Sequence, residues 1–199
     1  MGTRHLEAAY INGEYKIAQY GQWDGYPDGQ GIETLHFLRD EMDEAVFREK
    51  LAASVFIQPQ ELDDLWKQYG ADDDGWISLE GSANMRRDHP ELHRDTGAKI
   101  FRLVQDAPAG IKIQNSLAFA ADGLCCEWIW VIDMDSRTFE GYEGYQKEPL
   151  DSGERFFFLE EQAENGYHPC KLVAKWSLDN LPSDEEFLDA FKSEEDEGD

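Results

Sequence analysis

The dipeptide Asn12-Gly13 constrains this chain most, because it sits between two alternating runs. Both residues tolerate positive φ, so the pair suits the tight two-residue turn that joins antiparallel strands. Before it, Leu6, Ala8 and Tyr10 alternate with His5, Glu7 and Ala9. After it, Tyr15, Ile17 and Gln19 alternate on a return strand. Closing the turn pairs Tyr10 with Tyr15 and Ala8 with Ile17 on one face. Glu7, Glu14 and Lys16 fall on the other, which the pattern predicts to face water.

The pattern then changes period. From Gly31, the residues Ile32, Leu35, Leu38, Met42 and Val46 recur at helical spacing. Further helices are expected over 59–69, 78–87 and 96–105. The last has Asp95 as its N-cap and Ala98, Ile100, Phe101 and Val104 as its apolar positions. Strands return over 125–133, rich in Trp, Ile and Val, and over 138–142 after a turn at Asp135-Ser136-Arg137. Two more strands are expected over 155–159 and 171–178. Pro182-Ser183 starts a short helix carrying Phe187, Leu188 and Phe191. The order predicts an α+β fold: an antiparallel sheet built from the N-terminal hairpin and C-terminal strands, with a helical middle packed on it. No linker divides the chain, so 1–192 read as one globular domain and 193–199 as a disordered acidic tail.

Charge limits what such a domain binds. Among 199 residues, 43 acids face 18 bases, a formal net charge of −25. Nine acids and one lysine lie from Ser183 onward, so the acidity belongs to the folded part as well as the tail. It disfavours direct nucleic-acid binding and anionic membranes, and it suits a basic protein partner or a cation. Aromatic residues make up 13%, enough for a packed core despite the charge. Cys125, Cys126 and Cys170 form neither a disulfide framework nor a zinc knuckle. No signal-like or membrane-length apolar stretch is present, so the expectation is a cytoplasmic protein, with the nucleus left open.

The stretch Gly21-Gln22-Trp23-Asp24-Gly25-Tyr26-Pro27-Asp28-Gly29-Gln30-Gly31 is the most distinctive. Its glycines let backbone approach a ligand closely. Gln22, Asp24 and Gln30 supply polar groups, and Trp23 and Tyr26 supply rings for stacking. The competing reading is a packed turn whose aromatics fill the core. The spacing fits neither a phosphate-binding loop nor a dinucleotide fingerprint. In the hairpin register His5 lies opposite Tyr20, near this loop, which makes His5 and Asp24 the acid–base candidates if the chain is an enzyme.

Other motifs fail on chemistry. Asp72-Asp73-Asp74-Gly75 resembles a calcium loop, but Gly70 stands at its first ligand position and Gly81 at the bidentate glutamate position. Asp95-Thr96-Gly97-Ala98 copies an aspartic-protease tetrapeptide without the apolar strand that would bury it. His89 and His93 are separated by Pro90, which interrupts a shared helical face. No metal site or cofactor is therefore expected.

Met1-Gly2-Thr3-Arg4-His5-Leu6 together with the block from Gln19 to Pro27 resembles a family of uncharacterised fungal proteins that open with the same two blocks. The likeness extends to Arg94–Ala98 and to 119–133. A Trp-Asp-Gly-Tyr-Pro loop is also similar to one in uncharacterised phage proteins. The resemblance implies an intracellular single domain and brings no activity or cofactor. Three readings follow: a binding or interaction protein using the 23–31 loop toward an unknown protein or small molecule, a small hydrolase-like enzyme using His5 and Asp24, or an acidic mimic of DNA.

Overall fold

The structure is a computed structural model that describes residues 2–163 and 165–192; the expected tail, 193–199, lies outside the described residues. The hairpin forms as its turn signal requires. Strand β1 (His5–Ile11) and strand β2 (Glu14–Gly21) are joined by Asn12 at φ 56° and Gly13 at φ 80°. Both values lie in the left-handed region that a two-residue hairpin turn demands. The backbone amides of Asn12 and Gly13 donate to the two carboxylate oxygens of Asp135 at 2.9 and 2.8 Å, which fixes the turn to a second hairpin.

The register differs from the expected one. Tyr10 pairs with Tyr15, but Ala9 rather than Ala8 pairs with Ile17, and His5 lies opposite Gly21 rather than Tyr20. Lys16 is an extra residue between these pairs, a bulge that shifts everything beyond it by one. The face expected to be wet is also covered: Glu7 has no exposed surface.

Helices cover that face. Pro27–Gly31 and Phe37–Glu41 are π-helical turns flanking α1 (Ile32–His36), and the chain then breaks at Met42. Helix α2 (Glu44–Ala53) starts afresh with Asp43 as its cap, so the single long helix expected through Val46 is two. Helix α3 (Pro59–Gln68) and helix α4 (Leu79–Asp88), the latter capped by Ser78, lie near their expected positions. Helix α5 (Lys99–Asp106) begins later than expected. Gly97 adopts φ 53°, which ends any helical run from Asp95, and the Asp95 side chain turns to neighbouring bases instead of capping.

The remaining strands build the sheet. Val55–Phe56 (β3) and Lys112–Ile113 (β4) make a small parallel pair that the sequence did not suggest. Strand β5 (Trp128–Asp133) is buried along its whole length, and β6 (Thr138–Glu143) and β7 (Lys171–Ser177) follow as antiparallel neighbours. The order is β2-β1-β5-β6-β7, with β1 and β5 parallel. The expected strand over 155–159 is instead part of an irregular segment with a 3₁₀ helix at Phe157–Gln162. Helix α6 (Asp184–Asp189) closes the fold through a capping box between Ser183 and Glu186.

The five-stranded sheet is mainly antiparallel, and the fold is α+β, as expected. Each face of the sheet has its own core. Trp130, Phe139, Phe37, Phe47, Phe101 and Phe187 pack between the sheet and the helices. Leu6, Ile129, Val131, Tyr142 and Phe156 pack on the other face, under the segments around 117–121 and 150–162. A satellite cluster of Ile57, Met85 and Leu92 joins α3 to α4. Among the described residues, no helix is long and apolar enough to cross a membrane.

Candidate functional site

The 23–31 loop leaves the end of β2 and folds back over β1. Its glycines are where it meets the sheet. A Cβ on Gly21 would lie 2.1 Å from the His5 imidazole, and one on Gly25 would lie 2.7 Å from the His5 Cβ. A Cβ on Gly31 would lie 2.6 Å from the Trp130 ring. The backbone therefore closes on His5 and Trp130 at distances only glycine allows. Trp130 Nε1 donates to the Gly25 carbonyl at 3.0 Å, and the Gly25 amide donates to the Thr3 carbonyl at 3.1 Å. This packing ties the segment around His5 to the loop around Trp23.

Beneath the loop lies a buried polar pair. His5 and Glu7 alternate onto the helical face of β1 and are 1% and 0% exposed. His5 Nε2 stands 3.5 Å from Glu7 Oε1, and Thr34 Oγ1 donates to Glu7 Oε2 at 3.2 Å. Burial lowers the His5 pKa to about 4, partly offset by the Thr3 backbone. Burial pushes Glu7 well above the usual carboxylate range, and the Thr34 hydroxyl only partly opposes it. Both shifts favour the uncharged forms of His5 and Glu7 over an ion pair.

The loop residues divide into two groups. Gln22 and Gln30 are engaged by the protein. Gln22 accepts from the Tyr20 hydroxyl at 2.7 Å and its amide donates to the Arg94 carbonyl at 3.0 Å. Gln30 accepts the Ala98 amide at 2.7 Å. Trp23 and Tyr26, in contrast, are 48% and 51% exposed. Asp24 sits at φ 58°, and its carbonyl accepts the Gln30 amide at 2.8 Å. A cleft of about 540 Å³ opens here, lined by Asp24, Tyr26, Asp28, Gln30, Glu33 and Lys99. His5 is not among its walls. The structure places His5 with Glu7 under the loop and Asp24 on the open cleft above it, and no hydrogen bond joins the two.

A second polar cluster lies on the opposite face of the sheet and was not singled out from the sequence. Thr138, Glu140 and Tyr142 alternate onto one face of β6, and that alternation was its available signal. Arg155 Nε donates to Glu140 Oε2 at 2.7 Å and to the Tyr142 hydroxyl at 3.1 Å, and the same guanidinium reaches Asp133. Thr138 and Lys175 reach Glu140 Oε1, each at 2.9 Å. Burial pushes the Glu140 carboxyl upward, but its bonds to Arg155, Lys175 and Tyr142 outweigh burial and hold its pKa at about 2. The charges are mutually satisfied, and the cluster fastens the 150–162 segment to the sheet.

The other motifs are absorbed locally. Asp72 Oδ1 accepts the amides of Asp74 and Trp76 at 3.1 and 2.8 Å, which folds the acidic loop on itself. Among the described residues, no group of three His, Cys, Asp or Glu side chains is arranged to hold a metal ion. No protein family, curated protein or solved structure matches the chain.

Proposed function

We propose that this chain is a binding protein whose recognition surface is the loop from Trp23 to Gly31, and that the group it takes is a cationic side chain of a protein partner. The observation that supports this is the composition of the cleft. Asp24, Asp28 and Glu33 line it against the single base Lys99, beside the exposed ring of Tyr26. An aromatic face with carboxylates around it attracts an ammonium or guanidinium group. The loop backbone is clamped onto His5 and Trp130, so little ordering is needed when a ligand arrives. The net charge of −25 steers basic partners toward the surface in general.

Thermal unfolding with a Lys/Arg-rich peptide tests the reading. The informative variants are Asp24→Asn and Tyr26→Ala. Asn tolerates the left-handed backbone at position 24, whereas Ala there would be strained. A basic peptide at roughly 100 times its Kd raises stability by about 2.7 kcal/mol. Most of that gain is expected to disappear in both variants. A basic peptide that leaves the melting temperature unchanged, or a gain that both variants keep, overturns the proposal.

A further inference from the structure

A second cleft, of opposite character, lies at the outer edge of β2. Its volume is about 690 Å³, within the range of small-molecule sites. Trp66 of α3 and Tyr20 of β2 contribute rings, and Leu79, 92% exposed, supplies apolar surface at its margin. Arg86 of α4 and Arg94 contribute guanidinium groups, while Ser116 and Gln114 add neutral hydrogen-bonding groups.

The charge here runs against the rest of the chain. Acids outnumber bases more than two to one overall, yet five bases and three acids lie between Arg86 and Arg102. Among the residues lining the cleft, Asp95 is the single carboxylate facing the two guanidiniums. Its Oδ2 lies 3.3 Å from Arg86 Nη1, and its Oδ1 lies 4.0 Å from Arg94 Nε. His93 is 3.7 Å from Asp95, and burial lowers its pKa despite that carboxylate, so it adds no charge at neutral pH. One positive charge is therefore left uncancelled. The Arg86 and Arg94 side chains remain 59% and 64% exposed, so Asp95 orients them without exhausting their donors.

We propose that this cleft binds a small aromatic anion, a planar ring carrying a carboxylate or a phosphate. Trp66 and Tyr20 take the ring, and Arg86 and Arg94 take the anionic group through charge-assisted hydrogen bonds. The chain's overall charge excludes an extended polyanion and leaves a single compact anion admissible. This site is separate from the loop cleft, though the segment 94–98 forms a wall of each. Gln22 bonds to the carbonyl of Arg94 and Gln30 to the amide of Ala98.

Isothermal titration tests this with two probes, adenosine 5′-monophosphate and anthranilate, which separate the phosphate from the carboxylate source. Adenosine and inorganic phosphate each carry only half of the required chemistry. Binding of at least one probe is expected, weakened about tenfold or more in the Arg86→Gln/Arg94→Gln double variant. Trp66→Leu should weaken it about fivefold or more. Arg87→Gln, which removes one positive charge just outside the cleft, should leave it intact, since Arg87 is occupied with Asp88. Three outcomes overturn the site. They are no binding of either probe at about 1 mM, binding unchanged in the double arginine variant, and phosphate alone binding as tightly as the nucleotide.

Discussion

Glu7 sits between His5 and Thr34 with no accessible surface, and its pKa is raised by burial. A raised carboxyl contributes fully below its unfolded value near 4.5, and that contribution is lost as pH rises through the folded value. His5 acts in the opposite sense, because its lowered pKa removes stability as pH falls from 6.5 through about 4. Replacing Glu7 by Gln keeps the shape and the Thr34 contact and removes the titration. Glu7→Gln is therefore expected to melt higher than the parent at pH 8, by about 1 kcal/mol or roughly 3 °C. The difference should shrink toward pH 5, and a difference independent of pH would contradict a raised Glu7 carboxyl. None of this was legible in the residue string. Alternation put Glu7 on a face of β1, but which face receives the helices is decided by tertiary packing, such as that of Thr34 in α1, and not by the pattern itself. His5, read as an acid–base candidate, carries the same lesson: its nearness to the loop was visible, whereas its enclosure by Gly21 and Gly25 was not.

At the level of elements, local signals were reliable where a turn or cap residue determined geometry. Asn12-Gly13, Ser78 and Ser183 each form the turn or cap their chemistry specifies. Cap and periodicity signals alike failed where a side chain found a better tertiary partner. Asp95 left the cap of α5 for Arg86, and Arg155, expected in a strand, serves as the anchor of a loop. That anchor is testable. Glu140 is buried and its pKa is depressed to about 2, so its contribution exists above the unfolded value near 4.5 and is lost as pH falls through about 2. Glu140→Gln should cost about 3 kcal/mol at pH 7, because it leaves Arg155 and Lys175 short of a charge partner. The two proteins should approach each other in stability near pH 2. Denaturant melts at the two pH values decide it, and an equal loss at both would assign the effect to packing alone.

Across the whole molecule, 43 acids on a 199-residue chain repel one another in the compact state. Salt from about 20 mM to about 0.5 M should therefore raise the melting temperature by several degrees, since the Debye length falls to a few ångströms. A melting temperature that stays level or falls with salt would show that the ion pairs have already neutralised the repulsion. The sheet imposes a different constraint, on timing. β1 finds its parallel neighbour β5 only across a gap of about 123 residues, the separation of the contact between Arg4 and Glu127. The hairpin of β1 and β2 forms from adjacent sequence, but on a growing chain its inner edge stays unpaired until β5, which ends at Asp133, has left the ribosome. Trp130, which locks the loop through Gly25, arrives equally late. The 23–31 loop is thus encoded about 105 residues before the tryptophan that locks it, and its formation reports that the central sheet has closed.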